Sequence, residues 1–474
     1  VALIDKLSLV EKKLLEAAEK SEKAQILLNS IDTNAMADLR FSERNRGVFA
    51  GMIKFGVPTI KDGGTYVADF AKGGLLEIFA PLYKNAKIDL ESLFKIYAIA
   101  QRGTRLDANG IPTPVTQEVV DKAKEIQAQY PEVVEVYNNY QEWNNALIDY
   151  AVQMGILSET KGEKELISMI LDTSTDFTRS SLSNLSYDQL IEVAERLGLD
   201  TRGTAQIWKD NADYYPFYRK MQDDTISGPK IAGGFIAGNP LGIKIKGSES
   251  VIEPAPLEAI SRNALSIMAA AMKNAGLAKM MTTFEAAGMA KEITDMNDTK
   301  GIDVMPVYIN GERVFYRVSD PEIIHGLQAI GMTDMSGIMK FLSMPATFLR
   351  DMVTRDPGFM LVNMMRDTMS AFVTSGADFK PFIDTFKNFN ADFTELERWG
   401  VLGGYDFSND EMDIVKFIQK EMRKQGIGVD GSMNAKDQFL KVWDYLGEQT
   451  GKSDGATRKG VYDVIYQQTG SQRE

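Results

Sequence analysis

Between residues 131 and 154, apolar side chains recur in steps of three and four. Val133, Val136, Tyr140, Trp143, Leu147, Tyr150 and Met154 share one helix face, with Pro131 to start the helix and Gly155 to stop it. Residues 116–128 read as the preceding helix, so the pair forms an α-hairpin. A further helix is expected over 187–197, ahead of the aromatic cluster Tyr214–Tyr218. Near the start, Leu3, Leu7, Val10, Leu14, Ala17, Ser21, Ala24 and Leu28 form a heptad seam, which suits a bundle helix or a short coiled coil. The period changes twice. Over 226–252, Gly233-Gly234, Gly238 and Asn239-Pro240 mark turns, and Ile243-Lys-Ile-Lys alternates like a strand. Over 303–318, Val307-Tyr308-Ile309, Asn310-Gly311 and Val314-Phe315-Tyr316 read as strand, type I′ turn, strand. Helical patterns then resume and dominate to the end.

The fold class expected is mainly all-α: multi-helix bundles with a small β-hairpin insertion (303–318) and an irregular Gly-rich/β segment (226–252). Four regions follow from the pattern: 1–90, helical with a Gly-rich segment; 91–225, helical hairpins; 226–320, the Gly-rich/β insertion and a helix; and 321–474, helical. Within the first, residues 47–74 hold seven glycines, and Gly47 and Gly51 make a small-xxx-small pair. Lys54 and Pro58 leave that stretch too short to span a bilayer. Two readings stay open, a tight helix contact in a soluble bundle and an interfacial amphipathic helix.

The segment Asp356–Gly376 has the most unusual pattern. Asp356 stands where an N-cap belongs, Pro357 where the first helical residue belongs, and Gly376 where the chain leaves the helix. The helix is apolar nearly all round, which suits burial. Yet Asn363, Arg366 or Asp367, Ser370 and Thr374 fall on one face. That stripe is either a thin solvent-facing edge or a buried network that fixes how the helix docks. The chain has 24 methionines, and nine lie between 332 and 369, Met360 and Met364 among them. Methionine suits surfaces that pack in more than one way, as well as ordinary cores. Three Arg-Asp dipeptides, Arg350-Asp351, Arg355-Asp356 and Arg366-Asp367, suggest interhelical or intersubunit ion pairs. The interaction candidates are therefore Asn363, Arg366, Asp367, Arg355, Asp356, Met360 and Met364.

Asn363 with Arg366-Asp367-Thr368, after an Asp-Pro helix start and before an apolar run ending in Ser-Gly, resembles the large polyvalent-protein-associated helical region of phage and mobile-element proteins. Val362 replaces the arginine expected just before Asn363, which removes any ion pair made through it. Other segments agree in the same order: Gln101-Arg102 with Leu106, Tyr130-Pro131-Glu132, Trp143-Asn144, Leu147-Ile148-Asp149 and Gly155-Ile156-Leu157-Ser158. They continue with Asp213–Arg219, Pro256-Leu257-Glu258-Ala259, Phe315-Tyr316-Arg317-Val318, Gly403-Gly404-Tyr405 and Ala456-Thr457-Arg458. The likeness covers roughly residues 95–465.

Bulk properties narrow the chemistry. With 474 residues, 44% hydrophobic and 25% charged, the chain is an ordinary folded protein of several domains. A net charge of −13 argues against wrapping nucleic acid over a broad surface. There is no cysteine, which removes disulfides, thiolate metal sites and cysteine nucleophiles and suits passage between redox compartments. The single histidine, His325, cannot by itself build a standard triad or zinc site. Gly233–Pro240 lacks the Gly-Lys-Ser/Thr end of a phosphate loop, and Asp295-Met-Asn297-Asp298 lacks the glycine and glutamate of a calcium loop. The latter reads as a turn between a helix and the hairpin. No catalytic residue, cofactor or metal is expected. The chain starts at Val1 without an initiator methionine and stops at Glu474 directly after a helical pattern, so it reads as a piece of something longer.

The resemblance implies a non-enzymatic internal virion protein, ejected with the genome, whose helical segment oligomerises into a conduit for DNA across the host envelope. Its implied partners are further copies of itself, other internal virion proteins, DNA passing through without sequence-specific binding, and peripheral contact with the host membrane. Its implied location is the virion interior and then the periplasm or inner membrane. The alternatives are an injected peptidoglycan hydrolase or other effector enzyme, and a scaffold region of a polyvalent protein.

Overall fold

The computed structural model describes residues 12–13, 16, 19, 22, 45–58, 73–83, 88–108, 115–210, 256–294, 301, 303–320, 323, 365–373, 379–381, 383–388, 391–402, 421, 455–468 and 470. In chain order its first helices are α1 (Asn45–Phe55), α2 (Leu75–Phe79), α3 (Leu90–Ala108), α4 (Gln117–Gln129) and α5 (Pro131–Gln153). Then come α6 (Glu163–Thr173), α7 (Arg179–Leu182), α8 (Tyr187–Arg196), α9 (Thr204–Asp210) and α10 (Pro256–Ala286). Three strands follow, β1 (Ala290–Ile293), β2 (Val304–Ile309) and β3 (Glu312–Val318). The last helices are α11 (365–373), α12 (Ile383–Lys387), α13 (Thr394–Arg398) and α14 (455–468). The protein is mainly α-helical with one small antiparallel sheet, as the hydrophobic pattern predicts. The expected Gly-rich/β segment 226–252 and His325 lie outside the described residues, as do residues 295–300.

The chain divides into two compact units. The first holds residues 1–43, 56–59 and 70–331; the second holds 44–55, 60–69 and 332–474.

In the first unit, α5 is the central rod. Pro131 occupies its first turn, and its apolar positions bury Val133, Val136, Tyr140, Trp143, Leu147 and Tyr150. Tyr137, Asn144 and Ile148 are buried too, because α2, α3, α4, α9 and α10 pack around more than one face. An aromatic cluster fills the space toward α2 and α3: Phe79 meets Phe94 edge-on at 5.0 Å, and Tyr97 meets Tyr137 at 5.2 Å. Edge-to-face contact aligns the positive ring edge with the negative ring face. The expected helix near 187–197 is α8. It is held by a capping box in which the Ser186 hydroxyl accepts from the Gln189 N–H and the Gln189 side chain accepts from the Ser186 N–H.

At 31 residues, α10 is about 46 Å long. Its last turns bury Leu277, Met280, Met281 and Phe284 against Met305, Val307, Val314, Tyr316 and Val318 of the sheet. The strand order is β1-β3-β2, antiparallel throughout. The hairpin closes through Asn310 (φ 50°) and Gly311 (φ 78°), the two left-handed residues of a type I′ turn. The strand β1 was not anticipated. Ala-Lys-Glu-Ile has little strand character of its own, and the stretch takes strand form by pairing with Phe315–Val318.

A single buried asparagine joins three parts of this unit. Asn274 donates to the carbonyls of Met154 (3.2 Å) and Tyr308 (2.8 Å), and accepts from the Tyr308 N–H (2.7 Å). The end of α5, the middle of α10 and the end of β2 are thereby tied together. The Gly311 N–H adds a bond to the Gly155 carbonyl at 3.0 Å. A Cβ on Gly311 would stand 2.7 Å from the Ser158 nitrogen, so this turn needs glycine for space as well as for φ.

In the second unit, α1 lies on α13 and buries Val48, Phe49, Met52 and Ile53. Gly47 and Gly51 face backbone directly. A Cβ on Gly47 would run into the Gly400 carbonyl, and one on Gly51 would stand 2.7 Å from the Arg398 carbonyl. The small-xxx-small pair is therefore a tight helix contact.

Candidate interaction site on the 365–373 helix

The described part of the Asp356–Gly376 segment is α11. It carries one buried polar side chain, Thr368. The Thr368 hydroxyl lies 3.1 Å from that of Thr385 on α12 and 3.3 Å from that of Thr457 on α14, and the latter two are 3.3 Å apart. Three hydroxyls at these distances can close a ring in which each donates once and accepts once, so no buried donor is left over. Around the ring the helices approach closely. A Cβ on Gly460 of α14 would stand 2.8 Å from the Phe379 ring, and Arg458 of α14 donates to the Val401 carbonyl at 2.7 Å.

An adjoining sector of α11, which begins at Phe372 about 40° round the helix from Thr368, is apolar and exposed. Met365 is 49% exposed, Met369 48%, Phe372 50% and Val373 75%. At 100° per residue these four positions span about a quarter of the helix circumference. Arg366 and Ser370 flank them and are also exposed, while Asp367 is half-buried.

Of the polar stripe read from sequence, Arg366 and Ser370 thus form a solvent-facing edge. Arg366 pairs with Asp367 of its own helix, at 3.4 Å, and among the described residues the pair reaches no other helix. An exposed pair at that distance contributes little. Asn363, Arg355, Asp356, Met360, Met364 and Thr374 lie outside the described residues.

A buried network that docks the helix does exist, but it runs through Thr368. Thr368 and Thr457 stand in the sequence within Arg366-Asp367-Thr368 and Ala456-Thr457-Arg458, where nothing local assigns either a contact. Thr385 was not singled out. The partners are 17, 72 and 89 residues apart, so no local spacing announces them.

A second polar contact in this unit involves Lys54 at the end of α1. Its ammonium lies 3.0 Å from Glu397 and 3.2 Å from Glu421. Burial alone would lower the Lys54 pKa, but the two carboxylates outweigh it and the net direction is upward from 10.5. The Arg398 guanidinium covers the Phe55 ring at 5.4 Å.

In the first unit, burial shifts a carboxyl and an ammonium group. Burial raises the Glu91 carboxyl above its ordinary value, against a hydrogen bond from Tyr83 that lowers it. Burial also pushes the Lys273 ammonium down to about 8. The open groove beside Gln127, Pro131, Val134, Glu135, Asn138 and Asn139 contains neither residue. Among the described residues no group of three or more acidic or histidine side chains could hold a metal ion, and no helix is long and apolar enough to cross a membrane. Comparison with protein-family models, with curated proteins and with solved structures gives no match.

Proposed function

We propose that this chain is a non-enzymatic helical segment of a phage protein that travels with the genome and self-associates, as part of a conduit for DNA across the host envelope. The observation that carries the self-association is the exposed apolar sector of α11. Its four side chains offer roughly 300–400 Å² of apolar surface, the size at which a patch on a folded protein tends to be functional. A stable pairing needs about 800 Å² per partner, so the sector supplies the centre of such an interface and its surroundings supply the rest. Met365, Arg366, Met369 and Phe372 are of types enriched in protein–protein contacts, although Asp367, Ser370 and Ala371 beside them are of depleted types. An interfacial membrane helix would carry several lysines or arginines, and residues 365–373 carry only Arg366. A second copy is therefore the favoured occupant.

The phage context rests on the resemblance carried by Asn363 and Arg366-Asp367-Thr368 and by the segments that follow in order. Two of those segments supply members of the threonine ring, which supports treating them as one structural motif. The physics is compatible with delivery. A disulfide-free helical protein can be opened and reformed, and net charge −13 limits adhesion to packed DNA. The test is mass spectrometry of purified particles before and after triggered DNA ejection in the presence of host envelope. Peptides of this chain should be in the virion and then in the envelope fraction; their absence from the virion would defeat the conduit reading.

The rival of another class is an injected peptidoglycan hydrolase, and the raised Glu91 carboxyl is the observation in its favour. Clearing of a peptidoglycan suspension that Glu91→Gln abolishes would establish the rival. The proposed function expects no clearing from either protein.

A further inference from the structure

The three-stranded sheet has two faces, and α10 covers one of them. Val314, Tyr316 and Val318 of β3 pack there, in one cluster with Met280, Met281 and Phe284. Because side chains alternate along a strand, Arg313, Phe315 and Arg317 project from the other face. The register sets Lys291 of β1 beside Arg317, and Ile293 beside Phe315. On β2 it sets Val304, Pro306 and Tyr308 beside Arg317, Phe315 and Arg313. Val304 and Tyr308 are buried. Lys291, Arg313 and Arg317 are exposed, and Phe315 is half-buried among them. The open part of this face is therefore an aromatic ring with cations around it.

Two details separate this cluster from ordinary surface charge. Lys291 and Arg317 stand directly opposite each other, an arrangement of like charges that weakens a sheet. A lysine on β1 has a plain use, since charge on an edge strand deters pairing with another sheet. β3 lies in the middle of the sheet and needs no such guard, yet it carries both arginines. Asp303 pairs with Arg317 at 3.1 Å from the margin of the face. The Arg313 guanidinium lies over the Phe315 ring, 4.9 Å from its centre. Among the described residues, no carboxylate pairs with Lys291 or Arg313.

We infer that this face binds single-stranded nucleic acid, with phosphates on Lys291, Arg313 and Arg317 and a base on the platform made by Phe315 and Arg313. Arg313 and Arg317 stand about 13 Å apart along β3 with the ring midway. The order cation, ring, cation suits a chain that alternates phosphates with flat bases. An acidic peptide would meet the cations and leave the ring unused. A duplex keeps its bases stacked inside and would reach the cations alone. A phosphate between Lys291 and Arg317 also relieves their mutual repulsion. With three cations on a chain of net charge −13, the contact is local and weak, and it involves no sequence readout. It is independent of pairing through α11, which belongs to the other compact unit.

The test is fluorescence anisotropy of a labelled thymidine decamer, titrated with the full chain at several salt concentrations. Wild type should bind the decamer, and should bind a GC-rich DNA hairpin and polyglutamate of equal charge about tenfold more weakly, because neither offers a base to the ring. Phe315→Leu should weaken decamer binding by about tenfold and leave the salt slope unchanged. Lys291→Gln and Arg313→Gln should each flatten the slope of log K against log salt by about 0.7. Melting temperatures equal to wild type show that the fold is kept; if Phe315→Leu melts early, the slopes of the two exposed variants decide. No binding of the decamer at low salt, equal binding of the hairpin or of polyglutamate, or an unchanged slope in both glutamine variants would overturn the inference.

Discussion

Helices α10 and α11 are both rich in methionine, and they use it in opposite ways. In α10, Met268, Met272, Met280 and Met281 are buried, and the last two pack on the sheet. In α11, Met365 and Met369 stand about half exposed beside Phe372 and Val373. The residue type is the same, so composition does not decide its fate. The polar side chain inside each helix is more informative. Asn274 satisfies three backbone groups from two other elements and holds α10 against structure on several sides. Thr368 anchors α11 from one side only, through two threonine hydroxyls, and leaves the adjoining sector from Phe372 to Val373 open. One helix is the core of its unit; the other is a surface helix whose apolar side has no partner within the described residues of its unit.

The sharpest way to break this comparison is one substitution made in both helices. Met280→Asp should abolish folding of the first unit, since it buries an unpaired carboxylate at a cost of more than about 5 kcal/mol. Loss of the cooperative unfolding transition would show it. Next in size is Asn274→Ala, which strands the Tyr308 N–H and two carbonyls; denaturant titration should register a loss of about 3 kcal/mol.

Two lysines, Lys273 buried and Lys54 half-buried, extend the contrast to pH. Lys273 of α10 has a folded-state pKa of about 8 against an ordinary 10.5. Between those values the unfolded chain binds more protons, so the stability of the first unit should rise with pH from about 8 to 10.5, by about 3 kcal/mol. Lys273→Met should remove that rise. The Lys54 contribution has the opposite sense. Its pKa is raised, so its stabilisation is complete below 10.5 and is lost only as pH climbs through the higher folded value. Hydrogen exchange across this range should therefore show slower opening in α10 and no change in α1.

A smaller effect tests the threonine ring. Thr368→Val should cost about 1 kcal/mol, because Thr385 and Thr457 lose a partner but keep each other. Changing all three to valine should cost little more than the single change, since no hydroxyl is then left unsatisfied. A triple variant that loses three times as much would show that the ring is not a unit. The smallest stability effect belongs to Met369→Asp, within about 0.5 kcal/mol of wild type, because the side chain already faces water.

The sequence made these differences visible unevenly. Helices α5 and α8 and the hairpin were legible because their information is local: apolar steps of three and four, Pro131 and Gly155 at the ends, Asn310-Gly311 at the turn. The Gly47/Gly51 contact was legible as a type, since a glycine repeat on a helix invites backbone approach, but its partner Gly400 was not. Strand β1 was hidden because a neighbour imposes its form. Of the polar stripe in the Asp356–Gly376 segment, Arg366 and Ser370 face solvent, and the choice between solvent edge and buried network depends on contacts up to 89 residues away. Thr368, one position from Asp367, lies on the buried side, and Thr385 and Thr457 are ordinary threonines until the chain folds.

The central claim is that the exposed face of α11 pairs copies of this chain. Sedimentation of the full chain and of Met369→Asp, from nanomolar to high micromolar concentration, tests it most directly. The account expects wild type to form a defined oligomer in the low micromolar range, and the variant to stay monomeric there with an unchanged melting temperature. A wild type that remains monomeric throughout, or a variant that associates as wild type does, would contradict it.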